Sequence, residues 1–174
     1  DFPIPNDLIA EETASSLIKR CKECLLRIKK GIDFLKSDEP EADNAREAFK
    51  LANHAMLIAQ LRSTRYVREP ILKDGQLGWD KDILDIDPSE PHEKKGYWRP
   101  FQIAFLLMSL RGICQPNNED NEREVVDLIW FPTGGGKTEA YLGLTAFTIF
   151  YNRISGQSSA GCDVIMRYTL RLLT

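Results

Sequence analysis

The chain has 174 residues, of which 43% are hydrophobic and 28% charged, and its formal net charge is −3 at pH 7. That is enough apolar material for one good-sized domain or two small ones. The charge balance excludes a global attraction to nucleic acid or anionic lipid, and no apolar run approaches the roughly 20 residues of a membrane-spanning helix.

From the start of the chain, Asn6 or Asp7 can cap a helix over residues 7–36. Leu17, Cys21, Cys24, Leu25, Ile28, Ile32 and Leu35 form one apolar stripe on it at spacings of three and four. Gly31 interrupts that pattern. Lys19, Arg20, Lys22, Arg27, Lys29 and Lys30 crowd the remaining faces, as a solvated face or one that meets phosphates. Cys21 and Cys24 have the C-x-x-C spacing, but zinc needs further ligands, and only His54 and His92 are available. Both lie on the stripe, so core packing is their expected role. With Cys114 and Cys162 they read as scattered reduced thiols, which suits a cytoplasmic protein. There is no signal peptide, and an opening at Asp1-Phe2-Pro3 with an end inside an apolar run suggests an excerpt from something longer.

Ser37 and Asp38, followed by Pro40, mark a turn and a second helix start. This helix should run to about Thr64 and present Ala45, Ala48, Phe49, Ala52, Met56, Ala59 and Gln60 on one face. A short turn between two amphipathic helices implies an antiparallel hairpin over residues 1–64. His54 lies off the stripe and reads as a surface or partly buried histidine. Periodicity then vanishes over residues 65–96, which read as an irregular linker with turns at 74–78 and 87–91. Trp79 would anchor that segment on a neighbouring surface.

The third unit covers residues 97–174. Residues 97–110 read as a buried helix with Pro100 at its start and Gly112 past its end. Within it, Gln102 is either a polar residue on an exposed strip or an adenine reader, since an amide can donate and accept at once. Residues 116–127 are acidic and polar and read as a solvated surface loop.

Residues 125–141 then read VVDLIWFPTGGGKTEAY. An apolar strand, a glycine-rich turn and a helix in that order are the context of a phosphate-binding P-loop. Gly134, Gly135 and Gly136 leave backbone N–H groups open to a triphosphate. Lys137 would reach the outer phosphates at a helix N-terminus, and the Thr138 hydroxyl would ligate Mg²⁺. Thr133 completes the T-G-G-G-K-T core, while Phe131 stands where the full pattern has glycine. The following helix, apolar almost all round, should be buried. After a loop at 155–161, residues 163–166 read as a second strand, which makes a βαβ unit with a parallel sheet and hence an α/β fold. Past Thr138 the acids are Glu139 and Asp163, and neither ends an apolar strand. The residues that drive hydrolysis would lie outside this sequence, and the chain alone should not turn nucleotide over.

Trp98-Arg-Pro-Phe-Gln102, the segment from Phe131 to Glu139, and the segment from Val164 to Thr174 resemble three successive motifs of superfamily-two helicases. Together with A-F-K-L-A-N-H-A-M in the second helix, the set looks like that of the DrmA-type helicase-like subunits of the DISARM phage-defence system. The resemblance covers roughly residues 45–174. It implies a RecA-like ATPase domain preceded by the helical hairpin, and an ATP- and Mg²⁺-dependent motor on DNA that works with a partner subunit such as DrmB. Gln102 would contact adenine; residues 133–138 would hold phosphates and metal, with Lys137 and Thr138 catalytic. Thr169 and Arg171 would meet DNA phosphates. The alternatives from the residues themselves are another P-loop enzyme, or a protein-docking module with a nucleotide-binding loop.

Overall fold

A computed structural model describes residues 7–62, 67–83, 96–130, 132, 134–157 and 161–167. Four helices dominate: α1 (Asp7–Lys36), α2 (Pro40–Arg62), α3 (Pro100–Cys114) and α4 (Lys137–Ile154). A short 3₁₀ turn, Glu122–Glu124, lies between α3 and α4. The two described strands, β1 (Pro70–Lys73) and β2 (Gln76–Trp79), pair antiparallel with Lys73 opposite Gln76. Asp74 and Gly75 join them with positive φ at both positions, the geometry of a two-residue hairpin turn. The hairpin thus sits in the segment read from sequence as irregular. Trp79 remains half exposed, with the Arg68 guanidinium 4.8 Å from its ring centroid, and β2 contacts no element but β1 among the described residues.

The expected parallel sheet and RecA-like core are absent from the described residues, and the α/β reading is corrected to a mainly helical fold. Residues 125–130 are extended but pair with no neighbouring strand, and Val126, Leu128 and Trp130 are 93%, 82% and 87% exposed. Residues 164–167 likewise form no ladder, and Ile165 is exposed. The reason is physical. A strand consists of hydrogen bonds to another strand, whereas a helix closes its own, so an apolar run can announce a strand without supplying the partner.

The core is shared by all four helices. Ala42, Ala45, Ala48 and Ala52 of α2 bury completely, and their small side chains let α2 lie close to α4, where Phe147 and Tyr151 stack with ring centroids 6.0 Å apart. Phe34 of α1 and Leu110 and Cys114 of α3 close the cluster. Burying each of the larger side chains contributes roughly 1.5–3 kcal/mol. α1 packs chiefly on α3 and stays unbroken through Gly31, because glycine is required there for contact: a Cβ would sit 2.0 Å from the Leu107 carbonyl oxygen. The first half of the α1 stripe has no partner among the described residues. Leu17, Cys21, Cys24 and Leu25 are exposed, which corrects the core role expected of the two cysteines. On α4 only the stripe of Ala140, Gly143, Phe147 and Tyr151 is fully buried, while Tyr141 and Leu142 face outward, so this helix is not buried all round.

The acidic segment is not merely solvated. Arg27 of α1 donates to both carboxylate oxygens of Asp127 at 2.6 and 2.8 Å and to the Met108 carbonyl. Lys30 and Arg111 both reach Asp120, and Arg111 also reaches Glu122. These pairs tie residues 120–127 to α1 and α3 just ahead of the glycine loop. Burial raises the carboxyl pKa of Glu122, with Arg111 and Arg27 opposing, whereas hydrogen bonds from Lys30 and Arg111 hold Asp120 below its ordinary value.

Candidate functional site

α3 begins where Pro100 presets φ in its first turn, and Arg99 precedes it with extended backbone. Gln102, one turn in, folds its side chain back so that its Oε1 accepts the Arg99 N–H at 2.7 Å. This satisfies one of the N–H groups that a helix start leaves open. Its Nε2 donates to the Gly136 carbonyl at 2.7 Å, and the residue is only 4% exposed. Arg99 extends its guanidinium to the Gly135 carbonyl, also at 2.7 Å. Two consecutive loop carbonyls are therefore held by two side chains from one helical turn.

The loop itself is bent by glycine. Gly134 and Gly136 have φ of +79° and +88°, a region that costs an L-residue roughly 1–2 kcal/mol. A Cβ at Gly136 would also lie 2.7 Å from the Gln102 Nε2, so a side chain there would displace that amide. Pro132 O accepts from the Gly135 N–H and from the Lys137 ammonium, each at 3.1 Å. Lys137 is thus folded over the loop. α4 starts at Lys137 with Gly136 as its N-cap, and no side chain caps it. Its first N–H groups and positive dipole end are the local requirement for binding an anion. Thr138 is exposed in the first turn, and Glu139 follows it.

α4 is fixed to the rest of the fold next to the loop. Gly143 lies so close to Trp98 that a Cβ would meet the indole at 2.6 Å, and the Trp98 Nε1 donates to Asn53 of α2 at 2.6 Å. Phe105 of α3 meets Tyr141 of α4 edge to face at 5.8 Å. Loop, α3 start and α4 start therefore form one packed unit, resting on α2 through Trp98.

Of the residues singled out in the sequence, Gln102, Gly134, Gly135, Gly136, Lys137 and Thr138 converge here. Thr133, Thr169 and Arg171 lie outside the described residues. Gln102 is not on an exposed strip: it is buried against the loop backbone. Sequence reasoning missed Arg99. The signal was its place three residues before Gln102 in an R-P-x-Q run, which puts both side chains at the same helix end. Among the described residues no cluster of histidine, cysteine, aspartate and glutamate could hold a metal, and no helix is long and apolar enough to cross a membrane.

Across 98% of its length the chain is 39% identical to the DISARM protein DrmA of Bacillus paralicheniformis. It is similar to a part of that protein, spanning 14% of its length. No protein-family model matches the chain, and no solved structure matches it.

Proposed function

We propose that this chain is the nucleotide-binding part of a helicase-like, DNA-acting ATPase subunit in bacterial anti-phage defence. The observation that carries the reading is a loop with two left-handed glycines delivering Lys137 to the uncapped N-terminus of α4. Its similarity to the DISARM protein DrmA supports the defence setting, and in this reading the substrate is DNA and a partner subunit such as DrmB assists.

The residues present fit ATP with Mg²⁺. A bound triphosphate would take over the Lys137 ammonium and the Gly135 N–H from the Pro132 carbonyl, exchanging one acceptor for a more highly charged one. The backbone N–H groups at the start of α4 would receive the remaining phosphate oxygens, and the Thr138 hydroxyl would face the cation. Mg²⁺ would neutralise charge building up on the outer phosphates. Lys137 binds and orients, and Gly134 and Gly136 allow the close backbone approach that a side chain would block.

The test is DNA-stimulated ATP hydrolysis by the full-length protein and by its Lys137→Ala variant. Removal of the ammonium should lower ATP affinity and turnover by at least about tenfold, as expected for a charge-assisted hydrogen bond of roughly 1.5–3 kcal/mol. Wild-type turnover in the variant would show that the phosphate site lies elsewhere.

A further inference from the structure

The residues that lead into the glycine loop, 125–130, are extended and have no ladder bonds among the described residues. Without a strand partner, their course is set by what their side chains hold. Apolar packing fixes one point, where Ile129 rests against Phe105 and Leu106 of α3. Alongside it a groove of about 600 Å³, lined by Arg27, Phe101, Met108, Val125 and Asp127 among others, separates the segment from α1 and α3. Arg27 spans that groove. Its guanidinium donates two hydrogen bonds to Asp127, at 2.6 and 2.8 Å, and a third to the Met108 carbonyl at 3.2 Å. One planar fork thus joins α1, α3 and the segment, in a geometry that a point charge does not reproduce. The Arg27 Nε is buried with no hydrogen-bond partner among the described residues, so the fold bears a desolvation penalty to place the fork there.

We propose that Arg27 is a positioning residue for the phosphate loop: by clamping Asp127 it fixes the near end of the loop and makes phosphate binding depend on α1. Asp127 lies a few residues ahead of Pro132, whose carbonyl accepts from the Gly135 N–H and from the Lys137 ammonium. If Asp127 swings, Pro132 moves with it, and the two donors that close the loop lose their common acceptor. The far end is held separately, by Arg99 at Gly135 O and Gln102 at Gly136 O. The loop is therefore suspended between α3 at one end and α1 at the other. Because the clamp belongs to α1, a displacement of α1 against α3 displaces the near end of the loop as well.

This inference rests on the nucleotide-site reading, and two readouts keep them apart. Affinities for ATP and inorganic tripolyphosphate are measured on the full-length protein, on Arg27→Ala, on Asp127→Ala and on the double variant. Each single variant should weaken both ligands about tenfold, within the range of remote positioning effects, and the double variant should be no weaker than either. Amide hydrogen exchange of the ligand-free proteins is the second readout. Arg27→Ala should speed exchange over residues 125–136 and leave α2 unchanged. Lys30→Ala is the control: it removes an ion pair between α1 and Asp120, upstream of the segment, and should match wild type in both readouts.

A pair that only stabilises the fold would lower the urea midpoint while the folded variants kept wild-type affinity and loop exchange, and that result would overturn the inference. Additive affinity losses in the double variant would overturn it too, since the two residues would then act separately. Arg27→Lys covers the case in which the alanine variant does not fold. A single ammonium cannot hold both Asp127 oxygens and the Met108 carbonyl, so affinity should still fall, by about threefold or more. Wild-type affinity in Arg27→Lys would refute the role of the fork. Wild-type protein that binds neither ligand refutes the nucleotide site itself, whatever the exchange shows.

Discussion

Gly31→Ala sets two physical effects against each other with opposite signs. Gly31 lies inside the unbroken α1, where alanine is the better helix former by roughly 0.8–1 kcal/mol. Judged by propensity alone, the substitution stabilises. The fold reverses this, because the new Cβ would stand 2.0 Å from the Leu107 carbonyl oxygen and 2.9 Å from its carbon. Real Cβ contacts essentially never fall below 3.0 Å, so α1 and α3 must separate by about 1 Å. The obstacle is backbone within a hydrogen-bonded helix and cannot rotate aside. A gap of that size forfeits a quarter to a half of each dispersion contact along the interface. It also pulls Arg27 from the Met108 carbonyl, which it reaches at 3.2 Å. Overpacking of this kind costs roughly 1–3 kcal/mol. With backbone as the obstacle the cost falls at the upper end, about 2–3 kcal/mol, and offsetting the propensity gain leaves a net loss of about 1–2 kcal/mol. Equilibrium urea unfolding should show a lower midpoint at unchanged slope. Gly75→Ala is the control, since nothing lies within 4 Å of its Cβ and only its φ of +78° is penalised. A Gly31→Ala protein as stable as wild type would refute the close α1–α3 crossing.

Other expectations concern charge and thiols. A double-mutant cycle on Arg27 and Asp127 should give a coupling of about 1–2 kcal/mol, because the pair is bidentate and its side chains are only 16% and 21% exposed. Additive single losses would argue against the pair. Asp120, held below the ordinary carboxylate range, contributes stability that is present above about pH 4 and lost as pH falls through its folded value. Asp120→Asn should accordingly lower the urea midpoint slightly at pH 7 and match wild type in strong acid. Glu122 has the opposite sign: with its pKa raised by burial, it costs stability as pH rises through that value, so Glu122→Gln should flatten the profile above about pH 4. Burial pushes the Cys114 thiol up to about 12, leaving roughly one in ten thousand ionised at pH 8. Iodoacetamide followed by peptide mapping should label Cys21, Cys24 and Cys162, which are exposed, well before Cys114. Equal labelling rates would refute that burial.

The helices were legible because their signals are local. Asp7, Pro40 and Pro100 mark starts that the structure keeps, and Ala45, Ala48, Ala52 and Met56 of α2 are buried as their spacing implied, while Ala59 is exposed. What a stripe faces is not local. Nothing in Leu17, Cys21 or Cys24 distinguishes a partnered row from an exposed one, and the buried α1 side chain is Phe34, which the stripe did not include. The strand readings failed for the same reason in stronger form. Residues 125–130 have period-two alternation, and one face is in use: Asp127 pairs with Arg27, and Ile129 packs against Phe105 and Leu106. The other face and the backbone edge have no mate among the described residues, and neither composition nor spacing could reveal that.

The glycine loop was legible as a motif, but its supports were not. A run of three glycines reports where backbone must pass without side chains. It does not report which groups hold that backbone once no side chain does. Here the answer comes from one turn of a helix over thirty residues upstream, through Arg99 at Gly135 O and Gln102 at Gly136 O. That arrangement also shows why Gln102 was open to two readings. The same donor and acceptor that suit an adenine edge suit a helix start and a loop carbonyl, and in this structure they meet the latter pair. A flexible loop would lose affinity for a phosphate through the entropy of ordering it. Clamping two successive peptide planes from a packed helix would remove part of that loss. The glycines leave the loop without side chains, and Arg99 and Gln102 hold its backbone in one shape.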